Sequence, residues 1–516
     1  MTRLETPLPA GAFFFVCRCT VLTHVGYDPA MPAFIDVLRD WFDAAPNLGP
    51  WLAATYALYL LSLSFYIVLQ KREPIATLSW ILCLAALPYI GLLIYYLLGP
   101  QKVKRQRLRR GRARSGMEHY SSVCPPDADC TELAAIAQAT TGLAPSSATE
   151  LEWLVDGAAT YDALLEAIDQ ARDHVHLEYY IYEPDHTGTA VRDALVRAAR
   201  RGVKVRMLLD AVGAAGVRKR FLTPLLDAGG EAVWFHPRQL LKPFKRPWLN
   251  LRTHRKLVVI DGLTAFTGGI NITDDENERQ RPNAFRDLHM RIRGHVVRSL
   301  QLVFMEDWLY ASGQDAKSFP QDRLWPRETP SREAGDINTQ VLISGPDSAW
   351  ETIHRLHVEA IHEASERVWL VTPYFVPGEA ARMALTSAAL AGLDVRLLVP
   401  KVSDSWLVTQ AARSYFDELL QAGVKIYEYT AGMLHTKAFI ADDGVCIVGT
   451  ANFDHRSFRL NFELSMMIRD EGRVAALATI LEREYSSASR VHNERDRALW
   501  RHRLPEAVAR LASPLL

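Results

Sequence analysis

From Trp51 to Gln70 the chain runs WLAATYALYLLSLSFYIVLQ without a charged residue, and from Ile75 to Gln101 it does so again as IATLSWILCLAALPYIGLLIYYLLGPQ. Neither stretch has the polar face of a helix on a globular surface. Each supplies the roughly 20 residues that a helix needs to cross a hydrocarbon core. Trp51, Trp80, Tyr89, Tyr95 and Tyr96 suit interfacial belts, and the link Lys71-Arg72-Glu73-Pro74 is short enough only for a hairpin. The pattern predicts two transmembrane helices, about 51–70 and 75–98, within an anchor at 51–100. Directly after it comes KVKRQRLRRGRAR, Lys102 to Arg114, with eight basic residues and no acid. By the positive-inside rule this end, and everything after it, is expected in the cytoplasm. The same run attracts an anionic leaflet by about 1 kcal/mol per charge. In the N-terminal segment, 1–50, GAFFFVCRCTVL is interrupted by Arg18 and lacks a signal-peptide layout. Met31 precedes the amphipathic AFIDVLRDWF and is an alternative start to Met1.

After a basic collar and linker at 101–149 the hydrophobic rhythm changes to helices alternating with short apolar strands, and it does so twice, over 150–335 and 336–516. EAIDQARDHVHLEYYIYEPD (Glu166 to Asp185) and EAIHEASERVWLVTPYFVPG (Glu359 to Gly378) each read as a helix running into a strand. AARRGVKVRMLLD (Ala198 to Asp210) and AALAGLDVRLLVP (Ala388 to Pro400) each read as a helix end, a Gly stop and a buried strand. The fold class expected is α/β, a duplicated sheet-and-helix unit following the membrane hairpin.

A third shared block carries the chemistry. HRKLVVIDGLTAFTGGIN (His254 to Asn271) and HTKAFIADDGVCIVGTAN (His435 to Asn452) both obey HxKxxxxD, with Gly-Gly/Thr-x-Asn beginning seven residues after the Asp. On a strand, residues i and i+2 face the same side, so His254 projects with Lys256 and His435 with Lys437. A single HxK is weak, but two copies with identical Asp and Asn offsets in a duplicated frame are not coincidence. A phosphodiester is anionic and resists attack, so its catalyst needs cations and donors for the phosphoryl oxygens, a nucleophile, and an acid for the departing alkoxide. Lys256, Lys437, Asn271 and Asn452 fit the first task, and two imidazoles fit the others. Each imidazole needs a partner on its second nitrogen to fix its tautomer. Asp287 in FRDLH and Glu463 in LNFE, both downstream of their motifs, are the candidates. Asp261 and Asp442 belong to the motif, yet they follow the strand end and suit loop structure better than phosphate contact.

With these motifs the chain, over roughly 150–516, resembles the phospholipase D superfamily. The two-span start with KREP at its turn, the basic run, and GTANFDHRSFRLNFE (Gly449 to Glu463) resemble the bacterial cardiolipin synthases within it. The resemblance implies a catalytic set of His254, Lys256, Asp261, His435, Lys437 and Asp442, with His254 as nucleophile and His435 as acid/base. The near-symmetric motifs leave that assignment open. It further implies a multi-pass bacterial inner-membrane protein that joins two phosphatidylglycerols into cardiolipin and glycerol through a phosphohistidine. Its partners would be phosphatidylglycerol and other anionic phospholipids, and it would need no cofactor. Alternatives are a lipid hydrolase or a membrane-tethered nuclease of the same fold. Thr253 stands where these synthases usually have Asn, and Thr450 where they usually have Ser.

Composition sharpens the choice. Lys plus Arg and Asp plus Glu each number 59 in 516 residues, and 49% of the chain is hydrophobic, which excludes a wholly disordered or collagen-like chain. With eight positive charges in 102–114, the remainder carries a formal −8, so neutrality is a cancellation. Outside that run no comparable basic tract exists, and nucleic acid is not expected as a partner. Arg218-Lys219-Arg220-Phe221, with Lys242, Lys245 and Arg246, reads as a headgroup contact or a solvated face. The six cysteines form no CxxC or zinc spacing, and His354, His357 and His362 read as decorating a helix, so no metal is expected.

Overall fold

The computed structural model describes residues 48–69, 74–98, 131–236, 250–326, 335–493 and 498–513. The alternative start at Met31, residues 71–73 of the link, the basic run 102–114, and Lys242, Lys245 and Arg246 lie outside the described residues. The chain divides into two units, 1–96 and 97–516.

In the first unit Leu48–Val68 is one continuous helix, and its stretch Pro50–Val68 is long and apolar enough to cross a bilayer. The second apolar run differs from the single span expected over 75–98. It forms two helices, Pro74–Ala86 and Pro88–Leu98, because Pro88 lacks an N–H and disfavours helical backbone at Leu87. Among the described residues, therefore, one helix and not two meets the length and composition for a span. The Tyr56 hydroxyl donates to the Ala85 carbonyl, and Ile67, Leu84 and Tyr95 form a small buried cluster.

In the second unit the duplication is explicit. The strands are β1 (Ser146–Ala148), β2 (Glu150–Val155), β3 (His174–Tyr179), β4 (Lys204–Asp210), β5 (Glu231–Phe235), β6 (Leu257–Ile260), β7 (Thr264–Gly268) and β8 (Leu288–Arg293). There follow β9 (Ile337–Ser344), β10 (Arg367–Val371), β11 (Phe375–Val376), β12 (Asp394–Pro400), β13 (Lys425–Tyr429), β14 (Ala438–Ala441), β15 (Val445–Gly449), β16 (Phe453–Asp454), β17 (Glu463–Arg469) and β18 (Ala488–Arg490). One sheet has the order β2-β8-β7-β6-β3-β4-β5. The other repeats that order as β9-β17-β15-β14-β10-β12-β13, with β1 added at one edge and β18 at the other. In both, one strand lies between a parallel neighbour and the antiparallel motif strand: β3 between β4 and β6, β10 between β12 and β14.

The stretch read as linker up to 149 holds real structure. Thr131 caps the helix Glu132–Thr141, whose Leu133, Ala134 and Ala137 are buried, and β1 pairs antiparallel with β9. Both elements thus join the second repeat although they precede the first. The two sheets share one core, which takes in Leu257 and Val259 of β6, Ile440 of β14 and Leu464 and Met466 of β17. The helix Val296–Ser312 lies in it with thirteen of its seventeen residues buried, too apolar all round for a surface helix. Arg255, 1% exposed, reaches Asp307 on this helix and donates Nε to the Glu463 carbonyl. Removing one member of a buried ion pair strands the other charge, so Asp307→Ala is expected to lower stability by about 3–5 kcal/mol. Chemical denaturation with intrinsic fluorescence would measure this.

Candidate active site

His254 and His435 come together across the repeat boundary, and each is held by the opposite repeat. His254 N–H donates to the Phe462 carbonyl at 2.8 Å, and Phe462 N–H to the Arg252 carbonyl at 2.9 Å. The related pair is His435 N–H to the Arg286 carbonyl at 2.7 Å and Arg286 N–H to the Met433 carbonyl at 2.8 Å. These short bridges set the next residue of each partner strand beside the imidazole. Nδ1 of His254 donates to Glu463 Oε2 at 3.0 Å, and Nδ1 of His435 donates to Asp287 Oδ2 at 2.7 Å. A carboxylate only accepts, so Nδ1 carries the proton in both rings and Nε2 is left as the reactive nitrogen.

Lys256 Nζ lies 2.9 Å from the His254 carbonyl, and Lys437 Nζ bonds to the His435 carbonyl and to Asp287 Oδ2 at 3.3 Å. Tyr180 stands edge-on to His254, ring centres 4.9 Å apart, and Tyr374 stands beside His435 at 6.4 Å. Burial draws the His254 imidazolium down to about 4, so its ring is neutral at pH 7. Burial and the charge of Lys437 pull Lys256 down to about 7. For Asp287 and Glu463 burial acts the other way. The Lys437 charge and the contact with His435 outweigh it for Asp287, and the contact with His254 and the Lys256 charge outweigh it for Glu463, so both carboxyls are held below the usual range.

The two motifs are not equivalent in detail. Thr450 donates its hydroxyl to Glu463 Oε2 at 2.5 Å, whereas the matching position in the first motif is Gly269, where a Cβ would lie 2.1 Å from Asp287 Oδ1. Asn271 is engaged: its Nδ2 donates to Glu276 Oε1 at 2.5 Å and its backbone N–H to Glu276 Oε2 at 2.9 Å. Asn452 donates its backbone N–H to Ser457 Oγ at 3.1 Å, while its Oδ1 has no hydrogen-bond partner among the described residues. Thr253 is buried, with its hydroxyl 2.5 Å from Glu178 Oε1 and its N–H donating to Asp210 Oδ2.

Asp261 and Asp442 are not brought to this cluster. Each follows the far end of its strand, seven residues or about 20 Å of extended chain from the histidine. There Asp261 accepts from the N–H groups of Arg172, Asp173 and His174, and Asp442 from those of Ser365, Glu366 and Arg367. They tie down the turns that enter β3 and β10. Glu276 is the residue that the sequence reading missed. It is fully buried, its Oε1 is 3.8 Å from His435 Nδ1, and burial together with Asp287 pushes its carboxyl up. The available signal was its offset, five residues after Asn271, where Ser457 follows Asn452. Glu276, Asp287 and His435 have ligand atoms within 4.8 Å of one another, but Lys437 Nζ already shares the Asp287 oxygen that a cation would need. His354, His357 and His362 lie on the helix Thr352–Glu363, where His357 bonds to the Ile353 carbonyl.

Two sheets of identical order with a paired HxK site at their junction define the phospholipase D superfamily. The model described as cardiolipin synthase, PLD-like domain, matches residues 164–308 and 357–485, and that of the phospholipase D-nuclease N-terminal region matches 57–100. The chain is 37% identical over 500 residues to a cardiolipin synthase of Geobacillus sp. (strain WCH70), covering 94% of this chain and 98% of the relative. It is also 37% identical over 488 residues to the cardiolipin synthase of Alkalihalophilus pseudofirmus, covering 91% and 95%. A solved phosphatidylserine synthase of Haemophilus influenzae shares the fold at a TM-score of 0.57 and 14% identity, over 75% of this chain and all of that one. The chain belongs to the cardiolipin synthase family of the superfamily.

Because Gly269 leaves room for Asp287, Gly269→Thr is expected to displace that carboxylate from His435 and to lower turnover by about a hundredfold with the fold intact. Circular dichroism beside a rate assay checks it. Lys256 loses its charge as pH rises through about 7, so kcat/KM for an anionic substrate is expected to fall above that pH. A flat profile there would count against a phosphate-facing role for this lysine.

Proposed function

We propose that the chain is a membrane-bound phosphatidyltransferase that makes cardiolipin and glycerol from two phosphatidylglycerols. The observation that carries the reading is the pair of imidazoles, each with Nδ1 fixed by a buried carboxylate of the other repeat. His254, neutral at pH 7, attacks phosphorus through Nε2, forming a P–N bond as the P–O bond to the glycerol headgroup breaks. His435, with the carboxyls of Asp287 and Glu276 around its Nδ1, gives its Nε2 proton to the departing glycerol oxygen. A hydroxyl of the second phosphatidylglycerol then gives a proton back to His435 and attacks phosphorus, and the P–N bond breaks. Lys256, Lys437 and Asn452 stabilise the phosphoryl oxygens, while Asn271, Asp287 and Glu463 act by positioning.

In this reading the anchor is a hairpin whose second span is kinked at Pro88, and the basic run 102–114 keeps the catalytic unit on the cytoplasmic side. An alcohol must outcompete water for the intermediate, so holding the site at the headgroup layer serves the chemistry.

Purified protein reconstituted with phosphatidylglycerol is expected to yield cardiolipin and glycerol by mass spectrometry, and His254→Ala and His435→Ala are each expected to abolish it. Phosphatidic acid in place of cardiolipin would identify a hydrolase. Unchanged cardiolipin formation in either variant would sink the two-histidine mechanism.

A further inference from the structure

The last helix of the chain is turned inside out. In Leu504–Leu511 the residues facing the protein are Glu506 and Ala509, while Leu504, Val508 and Leu511 face outward, the last 82% exposed. The preceding turn, Leu499–Arg503, adds Trp500 at 78% exposure. Positions 500, 504, 508 and 511 recur at the spacing of one helical face. This outward apolar stripe is not the product of a loose end. The Arg510 guanidinium sits 4.4 Å over the Tyr415 ring and donates to the Ser414 carbonyl at 3.1 Å. Tyr415 in turn bonds to Ser513 at 3.0 Å.

The stripe has two further properties. Arg501 and Arg503 are exposed within it, and no acid occurs from Ala498 to Pro505. It also packs beside the helix Trp406–Arg413, where Trp406 is 64% exposed and Val402, just before that helix, is exposed as well. That loop borders the catalytic cluster: the Asp404 carboxylate accepts from the Tyr374 hydroxyl at 2.7 Å, and Tyr374 stands beside His435. Outward Trp and Leu interleaved with Arg are the composition of a segment that lies in a bilayer interface.

We propose that Val402, Trp406, Trp500, Leu504, Val508 and Leu511 form a docking face for an anionic bilayer, with Arg501 and Arg503 meeting lipid phosphates, and that it sets the mouth of the site at the headgroup layer. This deepens the phosphatidyltransferase reading and rests on it. Charge complementarity favours the anionic bilayer over a second copy of the chain, since the run 498–505 carries Arg501 and Arg503 and offers no acid to pair with them.

The test uses the full chain in phosphatidylcholine vesicles, so that the N-terminal anchor is equal throughout. Substrate is supplied either as phosphatidylglycerol in the bilayer or as dissolved short-chain phosphatidylglycerol. Trp500→Ser/Leu504→Ser/Val508→Ser is expected to turn over bilayer substrate roughly tenfold more slowly. Arg501→Gln/Arg503→Gln is expected to lose about fivefold per charge. Both are expected to match the parent on dissolved substrate. Brominated phosphatidylglycerol is expected to quench the parent's fluorescence more than that of Trp500→Phe. Full bilayer rates in both variants, or equal quenching accompanied by cross-linked dimers, would overturn the docking face. A parent that makes no cardiolipin from either substrate would instead sink the activity, and the quenching would still decide the docking.

Discussion

Two imidazole–carboxylate hydrogen bonds cross the boundary between the repeats, His254 to Glu463 and His435 to Asp287, and the remainder of the catalytic unit is arranged so that both form at once. A histidine on a strand mouth has a free rotor and two tautomers. Burying a carboxylate against Nδ1 removes both freedoms, and it is tolerable only because the imidazoles and the Lys256 and Lys437 charges offset the desolvation of the acids. Neither repeat contains the partner of its own histidine. The register of the sheets, the shared core around Val296–Ser312 and the backbone bridges at Phe462 and Arg286 all act on that one alignment.

Duplication gives the site its frame, and small departures from symmetry give its two rings different surroundings. Glu463 accepts from Thr450, whereas Asp287 has the space over Gly269 and the ammonium of Lys437. Asn271 is occupied by Glu276, while the Asn452 side chain keeps an unspent oxygen. The two imidazoles thus share one hydrogen-bonding plan but not one set of neighbours: Thr450 stands on the carboxylate of His254, and Glu276 stands 3.8 Å from the Nδ1 of His435.

Much of this was legible in the residues. The repeat, its strands and the HxK pairs follow from periodicity and from offsets that recur twice. The carboxylates Asp287 and Glu463 were legible as candidates, but their crossing was not, because offset along the chain carries no information about which sheet edge meets which. Glu276 was harder to see: composition does not distinguish it within Asp274-Asp275-Glu276, and only its offset from Asn271, repeated by Ser457 after Asn452, singles it out. The break at Pro88 follows from the backbone chemistry of proline, and hydropathy alone passes over it because proline leaves an apolar run looking continuous. Glu132–Ala148 looked like linker because small residues predominate there, yet Leu133 and Ala137 are small and apolar enough to seal the edge of the second core.

β1 carries a consequence for biosynthesis. Its partner strand, β9, follows about 190 residues later. On a ribosome adding roughly 5–20 residues per second, that means a wait on the order of 10–40 s. For that time the first repeat can complete its own seven-stranded sheet while three residues at its entrance stay out of any ladder. A segment made before the first repeat therefore closes only once that repeat is complete, and it can cover the edge of β9 before β14, the strand of the second histidine, has been made.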